Sequence, residues 1–156
     1  MLRATAERYG YLSVTLRCSS PVCDCLDRLP VTVLRRWLDG ASQGRAIHVW
    51  GTGRRTQDFV AAEDIGQAAV LALQKLKHPE LIHVGSGIQT TMLDLARAIA
   101  TLGSVGIEMT GAPDPNEDDR WDLDLTHASN ALGYTPRIVL ANRLGELWEQ
   151  VQCAVH

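Results

Sequence analysis

Cys18, Cys23 and Cys25 crowd into a C-x4-C-x-C pattern, and a fourth cysteine stands far off at Cys153. Thiols at this density could ligate a metal or act as nucleophiles. A zinc site needs further ligands at close spacing, whereas His48, His78, His83, His127 and His156 have no partner three or four residues away. Asp24 lies between Cys23 and Cys25, and its negative charge works against the thiolate that a nucleophile requires. Reduced, structural thiols are the expectation, with no metal. Ser86 in Gly85-Ser86-Gly87 lacks the G-x-S-x-G spacing of a nucleophile elbow. Gly51-Thr52-Gly53 is followed by a strand pattern, whereas a dinucleotide turn delivers pyrophosphate to a helix N-terminus. Tyr9 and Tyr11 have Ser13 and Thr15 four residues on, so neither forms a Tyr-x-x-x-Lys pair. The residue types thus point away from catalysis by this chain and toward binding.

The elements that would position these residues alternate helix and strand. Ala4–Tyr9 reads as a helix tail stopped by Gly10, and Leu12–Leu16 as a strand. Residues 18–29 read as a loop. Pro30 suits the first turn of a helix running to Asp39, with Gly40 as its stop. Strands are expected at Ile47–Trp50 and Thr56–Ala61 around a turn at Gly51–Arg54. Asp64, with Gln67 three residues on, reads as a capping box for a helix reaching Lys75. After a strand at Leu81–Val84, Thr91 and Asp94 cap a second helix to Leu102. A strand at Gly106–Met109, an acidic loop at Asp114–Asp122, a short helix ending at Gly133 and a final amphipathic helix at Leu140–Cys153 complete the chain.

With 156 residues, 46% of them hydrophobic, the chain can bury a core and is expected to form one domain, 1–156. A formal charge of −3 argues against nucleic-acid binding through phosphate neutralisation. The longest apolar run, Ala68–Leu73, is too short to cross a bilayer, and MLRATAERYG holds no apolar signal core. A cytoplasmic protein without membrane association is expected.

Three segments in order, LRCSSPVC at Leu16–Cys23, VWGTGRRTQDFVAAED at Val49–Asp64 and HVGSG at His83–Gly87, resemble the C-terminal, substrate-binding half of the NAD-dependent epimerase/dehydratase family, the extended short-chain dehydrogenases that act on nucleotide sugars. The resemblance implies an α/β fold: the C-terminal portion of a Rossmann-like enzyme, a small mixed sheet with flanking helices. It also implies that the NAD-binding half, with its glycine-rich motif and Tyr-x-x-x-Lys pair, is absent from these residues. On this reading the chain binds no cofactor alone, NAD(P) belonging to a full-length relative.

The same resemblance implies a nucleotide-sugar ligand and places Ser20 at the family's L-R-x-x-N asparagine, Trp50 beside the base, and Gln57 at the arginine of R-D-F. Arg55, two residues earlier and of the same strand parity, would supply the cation instead, since an arginine fork suits a diphosphate. Asp114 falls where the family has a further arginine, and Asp114, Glu117, Asp118 and Asp119 form a carboxylate cluster that Arg120 alone would offset locally. The alternatives are a core position for Trp50, a solvated one for Arg55 and a solvated acidic loop. Asp64 would cap its helix. Two functions follow: an epimerase/dehydratase-like protein inactive without its N-terminal half, or a free-standing non-catalytic binding or assembly module. Partners would be that separate half or further copies of the chain. The first strand, as the edge of a larger parallel sheet, implies self-association or marginal stability.

Overall fold

Apolar side chains three and four residues apart give the helices one-sided faces, and two buried clusters receive those faces. The computed structural model describes residues 2–154. In chain order the elements are α1 (Leu2–Tyr9), β1 (Val14–Cys18), β2 (Ser20–Val22), a 3-10 turn at Leu26–Arg28, α2 (Val33–Ser42), β3 (Ile47–Val49), β4 (Thr56–Ala61), α3 (Ala62–Lys75), β5 (Glu80–Val84), β6 (Gln89–Thr91), α4 (Met92–Gly103), β7 (Ile107–Met109), α5 (Thr126–Leu132) and α6 (Leu140–Ala154). The larger cluster joins α2, α4 and α6 through Leu34, Leu38, Leu95, Ile99, Leu144 and Leu147, with Ile47 and Val49 of β3. The smaller one packs α3 and α5 against β5 through Ala68, Ala72, Ile82, Val84 and Leu132.

The architecture is mixed α/β, as expected. β1 pairs in parallel with β5, and β3 with β7. β4 is central in β2-β4-β6, parallel to β2 and antiparallel to β6. Thr91 caps α4 as expected, its Oγ1 accepting from the Asp94 N–H at 3.0 Å.

Several elements differ from the local sequence pattern. The first strand is Val14–Cys18, not Leu12–Leu16, because its register sets Val14 opposite Glu80. Extending it backward would set Ser13 opposite Pro79, which has no N–H to contribute. Ser20–Val22 is a strand inside the expected loop; Pro21 hides its signal yet is tolerated on the outer strand of its sheet. Helix α2 begins at Val33 and passes through Gly40 to Ser42. The reversal comes later, at Gly44 with φ +71°.

Asp64 does not cap α3. It lies in the first turn, is 3% exposed, and accepts from the N–H groups of Arg137 and Ile138, each at 3.1 Å. A buried carboxylate takes the strongest donors within reach, and here they come from the segment leading into α6. Gln67 completes no capping box; its buried Oε1 has no hydrogen bond.

Among the described residues β1 has β5 as its only strand neighbour. Leu12 and Leu81 beside it are 47% and 44% exposed. An unpaired parallel edge flanked by apolar surface invites pairing. Sedimentation velocity is expected to show a coefficient that rises with concentration; a constant monomer value would contradict this.

Candidate functional site

Thr32, Val33, Arg36 and Trp37 occupy one helical face, at spacings of one, four and five residues. That face forms one wall of a cavity of about 380 Å³, within the usual range for small-molecule sites. His48, Val49 and Trp50, at the end of β3, form the second wall. Arg55, Met92 at the start of α4, and Asp114–Asn116 close it. A depression beside α6 is larger, about 680 Å³, but is lined by Asp24, Asp27, Glu146 and Glu149, which suit no anion.

Trp50 is 57% exposed, so its ring stands at the cavity rather than in the core. Arg55 reaches the same cavity, with its side chain 22% exposed and its Nε 3.2 Å from Asp114 Oδ2. This contact is electrostatic rather than an aligned hydrogen bond: the Arg55 Nε–H is buried and has no hydrogen-bond acceptor.

Ser20, Gln57 and Arg120 do not line the cavity. Ser20 lies on β2, on the far side of β4 from β6. Gln57 sits opposite Thr90 in the β4–β6 pairing. The parity argument linking it to Arg55 fails because β4 begins only at Thr56. Arg120 donates to the carbonyls of Glu117 and Asp119, at 3.0 and 2.9 Å, and so ties its own loop together.

Arg36 was not evident as a site residue in the sequence. Its neighbour Arg35 is held by Asp39 through an i,i+4 pair at 2.8 Å, whereas the Arg36 side chain has no hydrogen-bond or ion-pair partner among the described residues. Helical-face arithmetic from Trp37 and Thr32 would have found it. No side chain caps α2 at Thr32, so the positive end of that helix also opens on the cavity.

The acidic loop is neutralised differently from expectation. Arg54 pairs with Asp118 at 2.6 Å and Glu117 at 3.5 Å, and Arg55 pairs with Asp114. The Glu117 carboxylate accepts from the Thr52 hydroxyl and from the N–H groups of Thr52 and Arg54. Gly51, at φ +57°, leaves room for it: a Cβ there would fall on the carboxylate. The Thr52 hydroxyl chiefly, joined by the turn's N–H groups and Arg54, holds the Glu117 carboxyl below its ordinary value of 4.5, while burial opposes them.

The two glycine turns do not fit a dinucleotide pyrophosphate. Donors of the first go to Glu117, and those of the second go to Asp58, which is 1% exposed and accepts from the Ser86 and Gly87 N–H groups at 2.8 and 2.7 Å. All four cysteines are free, and Cys23 donates to the Cys25 carbonyl at 3.1 Å. Burial pushes the Cys18 thiol up, away from nucleophilic use. Among the described residues no group of three or more His, Cys, Asp or Glu side chains can hold a metal, and no helix is long and apolar enough to cross a membrane.

The model of the NAD dependent epimerase/dehydratase family matches residues 1–85. A dTDP-glucose 4,6-dehydratase of Streptomyces niveus is 30% identical over 122 residues, covering 77% of this chain and 36% of that protein. A putative GDP-L-fucose synthase 2 of Oryza sativa subsp. japonica is 29% identical over 115 residues, covering 73% and 32% respectively. Among solved structures, UDP-glucose 4-epimerase of Thermotoga maritima with UDP-glucose superposes with a TM-score of 0.83 at 22% identity, over 99% of this chain and 50% of that one. UDP-glucuronic acid 4-epimerase of Bacillus cereus, with UDP-glucuronic acid and NAD, gives 0.80 at 19%, over 97% and 49%. The chain thus spans about a third of these curated relatives and half of these Rossmann-like structural neighbours.

Because folding lowers the Glu117 pKa, its stabilisation is present above pH 4.5 and is lost as pH falls through the folded value. Urea denaturation should therefore show wild type more stable than Glu117→Gln at pH 7, with the difference shrinking below pH 4.5. A difference independent of pH would contradict this role.

Proposed function

This chain belongs to the NAD-dependent epimerase/dehydratase family, and from that premise we propose that it is a nucleotide-sugar-binding unit whose cavity takes the nucleoside diphosphate portion of the ligand. The observation that carries the reading is the cavity itself: an accessible tryptophan, Trp50, shares it with two guanidinium groups, Arg36 and Arg55, and with the uncapped start of α2. An aromatic face stacks on a planar base. A guanidinium with free donors meets phosphate oxygens through short, charge-assisted bonds. In this reading Arg36 is the chief phosphate contact, with Trp50 flanking the base. Ser20, Gln57 and Arg120 contribute no direct contact.

The reading assigns no hydride transfer to this chain alone, and no step is routed through NAD. The family's cofactor chemistry would come from a Rossmann half, supplied separately or by a longer chain. Support lies in the occupied glycine turns and in the half-length superposition. A free-standing binding module is the second reading, favoured by Asp114, which places a carboxylate beside the cavity's half-buried arginine, Arg55. Mixing the chain with a family N-terminal half separates the two: recovered epimerase or dehydratase turnover supports the first.

Titration of the chain with UDP, dTDP or GDP is expected to quench tryptophan fluorescence, and Trp50→Phe should remove most of that signal. Arg36→Ala should weaken binding by roughly 1.5–3 kcal/mol, the range for hydrogen bonds to charged groups, or on the order of tenfold to a hundredfold in Kd. No response to any of the three at millimolar concentration would refute the assignment.

A further inference from the structure

We propose that Asp114 is a built-in counter-anion that occupies Arg55 and sets how tightly the cavity holds a phosphate-bearing ligand; this rests on the nucleoside-diphosphate reading above. The Asp114 side chain is 8% exposed, and its Oδ2 stands 3.2 Å from Arg55 Nε. Its other oxygen accepts from the Asn116 N–H at 2.9 Å, and its carbonyl accepts from the Glu117 N–H at 3.1 Å. The carboxylate is therefore presented to Arg55 by its own turn rather than by a flexible tether. The loop is fixed in turn at both ends: Gly51 N–H donates to the Ala112 carbonyl at 2.8 Å and Thr56 N–H to the Asp119 carbonyl at 3.1 Å.

Arg55 itself is incompletely satisfied: its Nε is buried without a hydrogen bond even though a carboxylate oxygen is in ion-pair range. A buried guanidinium donor left unsatisfied is a costly arrangement in a folded protein. It is relieved when an acceptor arrives with better alignment, and an oxyanion is the group that a guanidinium fork fits best. A phosphate entering beside Arg36 would thus find a second donor at Arg55, but only by competing with Asp114, whose like charge repels it. Asp114 lowers affinity for a diphosphate and biases the cavity toward ligands carrying less negative charge. It acts as a specificity-determining residue without being the ligand's main contact.

Calorimetric titration of the full chain with UDP tests this in wild type, Asp114→Asn, Asp114→Asn with Arg55→Ala, and Asp118→Asn. Asp114→Asn should bind UDP at least tenfold more tightly than wild type, and the gain should vanish when Arg55 is also replaced. Asp118→Asn removes one negative charge from the same loop, at an exposed pair with Arg54; it should change affinity less than twofold. Uridine, which carries no phosphate, should bind wild type and Asp114→Asn alike. Equal UDP affinity in wild type and Asp114→Asn, or an equal gain in Asp118→Asn, would overturn the counter-anion role while leaving nucleotide binding intact. UDP binding by neither wild type nor Asp114→Asn would overturn both. Should Asp114→Asn fail to fold, Asp114→Ser, which also removes the charge, takes its place with the same expected gain, and unchanged UDP affinity in it would overturn the proposal.

Discussion

The buried carboxylate of Asp58 is the contact on which the arrangement of the sheets depends. It lies on β4 and accepts from the Ser19 hydroxyl at 2.7 Å, at the junction of β1 and β2, and from the two N–H groups that follow β5. One side chain thereby joins the β1–β5 pair to the β2-β4-β6 sheet. A carboxylate that is 1% exposed is tolerable only because three donors replace its water. Gly85 makes that approach feasible, since a Cβ there would come within 2.9 Å of an Asp58 oxygen. Asp64 works similarly on the next element, fastening the segment before α6 to the start of α3.

The cavity is framed by a different set of contacts. α2 is packed on α4 and α6 by Leu34, Leu38, Leu95, Ile99 and Leu147, leaving its Thr32–Trp37 face turned to the β3 terminus. The Gly51–Arg55 turn and the acidic loop then close the remaining side through complementary charge. Opposite charges within 4 Å across these two segments recur three times, at Asp114, Glu117 and Asp118. Exposed pairs contribute little singly, so the Glu117 carboxylate, with its hydroxyl and N–H donors, is the firmer tie.

Family, helices and the β4 strand were legible in the sequence because each rests on local pattern: the LRCSSPVC, QDFVAAED and HVGSG stretches, the spacing of Leu144, Leu147 and Val151, and the Thr91–Asp94 cap. What was illegible depended on partners distant in sequence. The strand at Ser20–Val22 exists because β4 lies beside it. The register of β1 is set against Pro79 and Glu80. Asp64 reads as a cap until Arg137 and Ile138 are seen to reach it from 73 and 74 residues away.

The sequence by itself determined that this chain is α/β and related to nucleotide-sugar epimerases and dehydratases, and which arginines and tryptophans it carries. Only the tertiary structure decided which of those residues meet. Strand parity linked Arg55 to Gln57, but the structure sets Arg55 against Asp114 and leaves Gln57 in the sheet. Proximity along the chain gave Arg120 to the acidic cluster, but Arg54 and Arg55 neutralise it while Arg120 binds carbonyls. Arg36 entered the site through the packing of its helix. Residue type fixes the chemistry a side chain can perform, and periodicity fixes the face it occupies. Which opposing charge lies within 4 Å is set by how separate elements pack, and no local pattern encodes that.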